Sequence, residues 1–429
     1  MKKEGTMFYR RDKNVSIFDD TMELIEENKA LMKALKYSRD NQKLYKEGDD
    51  IEYSDRVVRN SSATTVVSKC RSFEAASKYA KAGKKVAVLN FASSTNPGGG
   101  VVNGASAQEE CLCRCSTLYP CLDIEVMWKE FYIPHRKKND PLYNDDIIYT
   151  PDIVVCKSDI SFPERMDEKD WYKVDVITCA APNLRDVPSN YMNPHAGDKA
   201  ADISDDELYK LHVKRISRIF QAAVAGGVDV IILGAFGCGA FMNSPEVVAK
   251  AFKKVQSEYE QYFETIEYAV FCGGSETPNY IAFCNEFGMA REYDLSRYHE
   301  AHNDKYETAL REVTSGHKQS HWMWYIFPQI AGLGYSRTSK FYAISDLSEA
   351  KAYMEDKILG AHMLELCERL LALKENDPAR IFDYPDDMKL QSSMTLFELA
   401  VPEQEIFGKV LDKFYSGKRD RKTIELVRK

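Results

Sequence analysis

The apolar run Val86–Phe91 leads within a few residues into Asn96-Pro97-Gly98-Gly99-Gly100, and after seven intervening residues stand Gln108-Glu109-Glu110. A buried strand that ends in consecutive glycines restricts the chain to folds in which a strand hands over to a helix through a tight turn. Glycine reaches positive φ without a Cβ penalty and leaves backbone N–H groups open to a ligand. The stretch GKKVAVLNF, bounded by Gly83, reads as the core strand, and the segment after Ala107 reads as a helix that opens on two acids. A backbone cradle for a diphosphate beside two carboxylates suits chemistry on a sugar carried by a nucleotide diphosphate, where a leaving oxygen and a cationic ribose must be managed. Neither G-x-G-x-x-G nor Gly-Lys-Ser/Thr occurs at this turn, so the pattern implies a glycosidase and not a dehydrogenase or a P-loop NTPase.

A second glycine-rich segment, Gly234-Ala-Phe-Gly-Cys-Gly-Ala-Phe241-Met-Asn-Ser-Pro245, follows the apolar strand Val228–Leu233. The spacing of the three glycines from Gln-Glu-Glu resembles the signature of poly(ADP-ribose) glycohydrolases, and NFASSTNPGGG…AQEE resembles the bacterial branch of that macrodomain-related family. The resemblance covers residues 1–290, about two-thirds of the chain. It implies that Glu110 is the catalytic acid, that Glu109 holds ribose hydroxyls and that Gln108 orders the turn. It further implies that Gly98, Gly99 and Gly100, together with Gly237, Cys238 and Gly239, wrap the diphosphate, and that Phe241 lies against the ribose and adenine. The expected ligand is ADP-ribose, alone or attached to a protein, nucleic acid or metabolite; the alternatives are a reader that binds ADP-ribose without turnover, or a nucleotide-processing or interaction protein centred on the C-terminal helical segment. No cofactor and no metal is expected. Asn90, Asn96 and Asn103 are candidates for ribose or adenine contacts, with turn formation or strand termination as the competing reading.

Strand-like and helical segments alternate through these 290 residues, with the glycine loops at strand C-terminal ends. This predicts a macrodomain-like three-layer α/β/α sandwich. Residues 18–39 carry helical periodicity with Met22, Ile25, Leu31 and Leu35 on one face, and predict an N-terminal helical cap. The net charge of −8 argues against a general nucleic-acid binder held by a basic surface. No segment approaches the roughly 18 apolar residues of a membrane span, and a cytoplasmic protein is expected. Eleven cysteines is an odd number without a secreted-type framework, and they read as reduced thiols. Cys111, Cys113, Cys115 and Cys121 have no spacing that converges on one metal along a helix, and read as small buried hydrophobes. His195 and His212 read as surface or capping residues.

Composition changes near Gly288–Tyr293, which sets a boundary between residues 1–290 and 291–429. The second segment has helical periodicity throughout and predicts an all-α accessory domain whose effect is on target choice. Its motif Ser320-His-Trp-Met-Trp-Tyr-Ile-Phe-Pro-Gln329 resembles an uncharacterised bacterial helical family. Lys318, Ser320, His321, Trp322, Trp324, Arg337, Ser339 and Lys389 form a candidate second site for a nucleotide or modified base, with an aromatic bundle core as the competing reading. His299 and His302 read as a solvated helical face.

Overall fold

The computed structural model describes residues 2–59, 62–190, 195–273, 276–289 and 293–427. The chain divides into two compact units, Met1–Ala290 and Arg291–Lys429.

In the first unit, seven strands form one mixed sheet: β1 (Lys43–Tyr45), β2 (Thr64–Ser68), β3 (Val86–Phe91), β4 (Ile147–Val155), β5 (Tyr172–Cys179), β6 (Val230–Leu233) and β7 (Thr265–Ala269), in the order β1-β4-β5-β3-β6-β7-β2. From β5 to β2 all neighbours are parallel, while β4 runs antiparallel to both β5 and β1. The central strand β3 is apolar at nearly every position because both of its faces are covered. Ala87 and Leu89 pack with Ile216, Phe220, Phe252 and Phe283, from helices Asp205–Gly226, Pro245–Tyr259 and Pro278–Phe287. Val86 and Val88 pack on the opposite face with Phe73, Ala76, Leu112 and Cys113, from helices Ser72–Lys81 and Gln108–Cys115. The expected three layers are therefore present, and the C-terminal end of β3 opens onto the glycine turn.

The N-terminal segment departs from the single helix expected over 18–39. It forms two helices, Lys2–Glu27 and Lys29–Asp40, because Asn28 caps the second: its Oδ1 accepts from the N–H groups of Ala30 (2.9 Å) and Leu31 (3.1 Å). Ile25 and Leu31 lie on either side of the break and are buried against Val154 and Cys156. Strand β1 and the π-helical turn Trp128–Tyr132 were not expected from the sequence.

The second unit is helical. Ser296–Ser315, Leu347–Glu355, Leu359–Ala372, Asp386–Ala400 and Ile406–Tyr415 enclose one core, with short turns at Met323–Ile326, Arg337–Phe341 and Pro378–Phe382. Among the described residues no helix is long and apolar enough to cross a membrane.

Candidate active site

Helix Gln108–Cys115 begins where β3 ends, and Gln108 ties them together. Its Oε1 accepts from the Phe91 N–H (2.9 Å), while its Nε2 donates to the Leu89 carbonyl (2.8 Å) and to Ser72 Oγ (3.0 Å). This fixes the next two residues against the glycine turn. Glu109 is 3 % exposed and Glu110 7 %. Both oxygens of Glu109 accept bonds, Oε2 from the Ser93 N–H (2.7 Å) and Oε1 from Asn90 Nδ2 (3.2 Å). Glu110 Oε1 accepts from the Gly100 N–H (2.9 Å), and its Oε2 has no protein partner.

Burial pushes both carboxyls above the usual range, and the charge on Glu110 pushes Glu109 further. That second contribution vanishes once Glu110 is protonated. Desolvation, the larger cause at Glu109, remains, so the buried pair favours retaining a proton, and Glu110 Oε2, which accepts no hydrogen bond from the protein, is free to carry it.

Gly99 explains how two carboxylates fit under the turn. Its φ is +60°, and a Cβ there would stand 2.6 Å from Glu110 Oε1 and 3.0 Å from Glu109 Oε2, so the missing side chain is the space the acids occupy. Gly98 faces away from the cavity, where a Cβ would meet Tyr119 Cδ2 at 2.7 Å. The N-terminal helix braces the far end of the turn: Asn14 Nδ2 donates to the Gly104 carbonyl (3.0 Å), and Gly104 abuts the Arg11 carbonyl.

The second glycine loop is held from beneath by Asn243, whose Nδ2 donates to the carbonyls of Pro182 (2.7 Å), Gly237 (3.1 Å) and Phe241 (3.2 Å). Its Oδ1 accepts from His212 Nε2 at 2.8 Å. His212 is therefore not a surface or capping residue. It is fully buried, and burial drives its pKa down to about 4, which keeps the ring neutral. Gly237 has φ +78° and no room for a Cβ, whereas a Cβ on Gly239 would meet nothing within 4 Å.

The two loops face one cavity of about 780 Å³. Gly99, Gly100, Gln108, Glu109 and Glu110 line it together with Asn96, Gly237, Gly239 and Phe241. Besides Gly98, three expected contacts differ in the structure. Asn90 is fully buried behind Glu109 and positions that carboxylate instead of facing ligand. Asn103 is exposed at the end of the short turn Val101–Asn103 and outside the cavity lining. The Cys238 side chain packs against the core, its Sγ 3.7 Å from the Phe236 carbonyl, so only its backbone belongs to the loop. Sequence reasoning missed the cavity's cations, Arg11, Arg71 and Arg185, and the aromatic faces of Phe91 and Phe271. These come from five separate segments, and of them only Phe91 lies within a local motif, NFASSTNPGGG.

Cys113, Cys115 and Cys121 are buried and Cys111 is partly so; the described residues contain no group of three or more His, Cys, Asp or Glu suited to a metal.

In the helical unit the candidate second site does not assemble as expected. Trp322 is a core residue, fully buried, with its Nε1–H donating to Glu312 Oε2 at 2.8 Å. Lys318 and Lys389 both pair with Asp386 at 2.6 Å, which neutralises much of the cluster, and Lys389 Nζ lies 4.4 Å from the centre of the half-buried Trp324 ring. Ser320 Oγ donates to Glu312, and Ser339 Oγ bonds back to its own helix cap at Ser336. His321 and Arg337 are exposed. His302, expected on a solvated face, is buried with Nδ1 3.0 Å from His362 Nδ1 and Nε2 3.0 Å from the Tyr325 carbonyl, while His299 pairs with Asp356.

Two glycine loops over a buried acid pair, in a cavity edged by arginines, define a glycosidase site for a nucleotide-linked sugar. Residues 13–158 match the family model for the microbial-type PARG catalytic domain, and residues 292–427 match a protein family of unknown function, DUF1810. Among solved structures, poly(ADP-ribose) glycohydrolase from Thermomonospora curvata is similar, at 27% identity over 65% of this chain and 100% of that one, with a TM-score of 0.53. The same protein bound to the inhibitor ADP-HPD matches at 28% identity with the same coverage and a TM-score of 0.53. Poly(ADP-ribose) glycohydrolase from Deinococcus radiodurans in complex with ADP-ribose matches at 30% identity over 59% of this chain and 96% of that one, with a TM-score of 0.50. No curated protein matches the chain. Through its α/β unit the chain belongs to the microbial poly(ADP-ribose) glycohydrolase family, and that unit is a glycohydrolase.

Proposed function

We propose that the enzyme releases ADP-ribose by hydrolysing the bond between the terminal ribose C1″ and its acceptor oxygen or nitrogen, with Glu110 as the single acid–base. The observation that carries this reading is the buried, unpartnered Oε2 of Glu110 in the cavity wall. Protonated there, it gives its proton to the departing atom as the C1″ bond breaks, and the oxocarbenium-like ribose is stabilised by neighbouring phosphate and hydroxyl oxygens. The resulting carboxylate takes a proton from water, the hydroxide adds to C1″, and Glu110 is protonated again. Glu109, fixed by Asn90 and the Ser93 N–H, orients the ribose. The backbone of Gly99–Gly100 and Gly237–Gly239 receives the diphosphate, aided by Arg185, while Phe241 covers the ribose. The acceptor is a protein, a nucleic acid, a metabolite or a further ADP-ribosyl unit, and residues 291–429 are an accessory domain that alters target choice.

Glu110→Gln preserves shape but cannot cycle a proton. Release of ADP-ribose, followed by chromatography, is expected to fall by roughly 10²–10⁴-fold with ADP-ribose affinity retained by calorimetry. Turnover within a few-fold of the parent would remove Glu110 from the mechanism.

A further inference from the structure

A second depression, of about 440 Å³, shares Arg71, Asp159 and Phe271 with the catalytic cavity. It continues past them along helix Ser72–Lys81 to Ser77, Lys81 and Tyr172. Arg71 precedes that helix and Lys81 ends it, so the two cations bracket the depression about 15 Å apart at 1.5 Å per helical residue.

The charges are not equally available. Lys157 also borders the depression, but it is 1 % exposed and committed to Asp20 (2.6 Å) and the Ile17 carbonyl (2.7 Å). The acids are engaged as well: Glu74 accepts from the Arg71 N–H (3.0 Å) and Asp159 from the Phe73 N–H (2.9 Å). Arg71 and Lys81 have no carboxylate within ion-pair distance among the described residues. Each lies over an aromatic ring instead, Arg71 4.0 Å from the centre of Phe271 and Lys81 5.6 Å from that of Tyr172. Phe271 is 46% exposed and lines both the catalytic cavity and the depression, at the point where the two meet. Two cations without a carboxylate partner, with one exposed aromatic ring at the Arg71 end, in a depression continuous with a nucleotide cavity match the phosphates and one base of a further nucleotide.

We propose that this depression is a second nucleotide subsite, which grips the ADP-ribosyl unit adjoining the one held in the catalytic cavity. The inference rests on the catalytic cavity being an ADP-ribose site, and it adds a contact made only by chains of two or more units.

The test uses full-length protein carrying Glu110→Gln to suppress turnover, with calorimetry against ADP-ribose, a purified trimer of ADP-ribose, and a peptide bearing a single ADP-ribosyl group. The trimer is expected to bind at least tenfold more tightly than ADP-ribose. Adding Lys81→Glu, a change on the exposed helix end, is expected to abolish that difference and leave ADP-ribose affinity and the melting temperature unchanged. Equal affinities for trimer and monomer, or a trimer preference that survives Lys81→Glu, would overturn the subsite. So would a mono-modified peptide gaining the increment that Lys81→Glu removes, since the depression would then serve a protein acceptor. Failure to bind ADP-ribose at all would be a different result, overturning the reading of the catalytic cavity and this inference with it.

Discussion

Gly99→Ala adds a single methyl group at the point where the turn meets the acid pair. Its Cβ would stand 2.6 Å from Glu110 Oε1, well inside van der Waals contact, and 3.0 Å from Glu109 Oε2. Relief requires the Glu110 carboxylate to retreat by several tenths of an ångström, which breaks its 2.9 Å bond to the Gly100 N–H, or the turn to lift away from the helix. The left-handed backbone at φ +60° adds strain of roughly 1–2 kcal/mol for a residue with a Cβ. At roughly 2–4 °C per kcal/mol, the strain alone lowers the melting temperature by about 2–8 °C. Misplacement of an acid on this scale costs on the order of 10²-fold in rate, because proton transfer depends steeply on alignment. The assay is ADP-ribose release under saturating substrate, with thermal melting in parallel. Gly239→Ala is the control for stability: its backbone is ordinary and its Cβ would enter open space, so it melts like the parent. If Gly99→Ala kept kcat within threefold of the parent at an unchanged melting temperature, the close packing of turn and acids would be refuted.

The acid pair also sets a pH dependence of stability. Folding raises the Glu109 and Glu110 carboxyls above their ordinary value of 4.5, so the folded chain binds more protons than the unfolded chain between that value and the raised one. Stability is greatest below that window and declines as pH climbs through the raised value. Glu110→Gln is therefore expected to melt above the parent at pH 8, with the gap closing toward pH 5; a gap independent of pH would show that the site does not bind the extra proton. In the helical unit, Trp322→Ala removes a fully buried indole and one of the hydrogen bonds to Glu312, and is expected to cost that unit about 3–5 kcal/mol while ADP-ribose release persists. Parental melting of the helical unit would place Trp322 outside the core, and joint loss of activity would show that the two units do not fold independently.

How much of this was legible in the chain depends on the range of the interaction involved. The glycine turn and the acid pair are separated by eight residues, and their juxtaposition follows from strand, turn and helix geometry alone. Helix Pro245–Tyr259 and strand Ile147–Val155 rest on local signals, a capping serine followed by proline in one and an apolar run in the other. Asn28 could have been read as a helix break, since asparagine is a strong cap, but the apolar periodicity continuing across it masked the signal. The histidines were misread for the opposite reason. His212 and His302 look solvated by composition, and only a distant partner, Asn243 in one case and His362 with the Tyr325 carbonyl in the other, makes burying a polar ring affordable.

The sequence by itself determined the α/β layering of the first unit, the helical character of the second, and the two glycine loops with their acids, because each rests on periodicity or on residues close in the chain. Tertiary structure decided what the side chains near those motifs do. Asn90 turned from a ligand contact into a brace for Glu109, Gly99 from a phosphate cradle alone into the space for two carboxylates, and the aromatic and cationic set around Trp322 into a core and a neutralised lysine pair. The arginines that edge the cavity come from segments as far apart as Arg11 and Arg185, and only the folded chain brings them together. Such assignments depend on which surfaces meet, and a free energy of contact between residues remote in sequence leaves no local trace in the order of the amino acids.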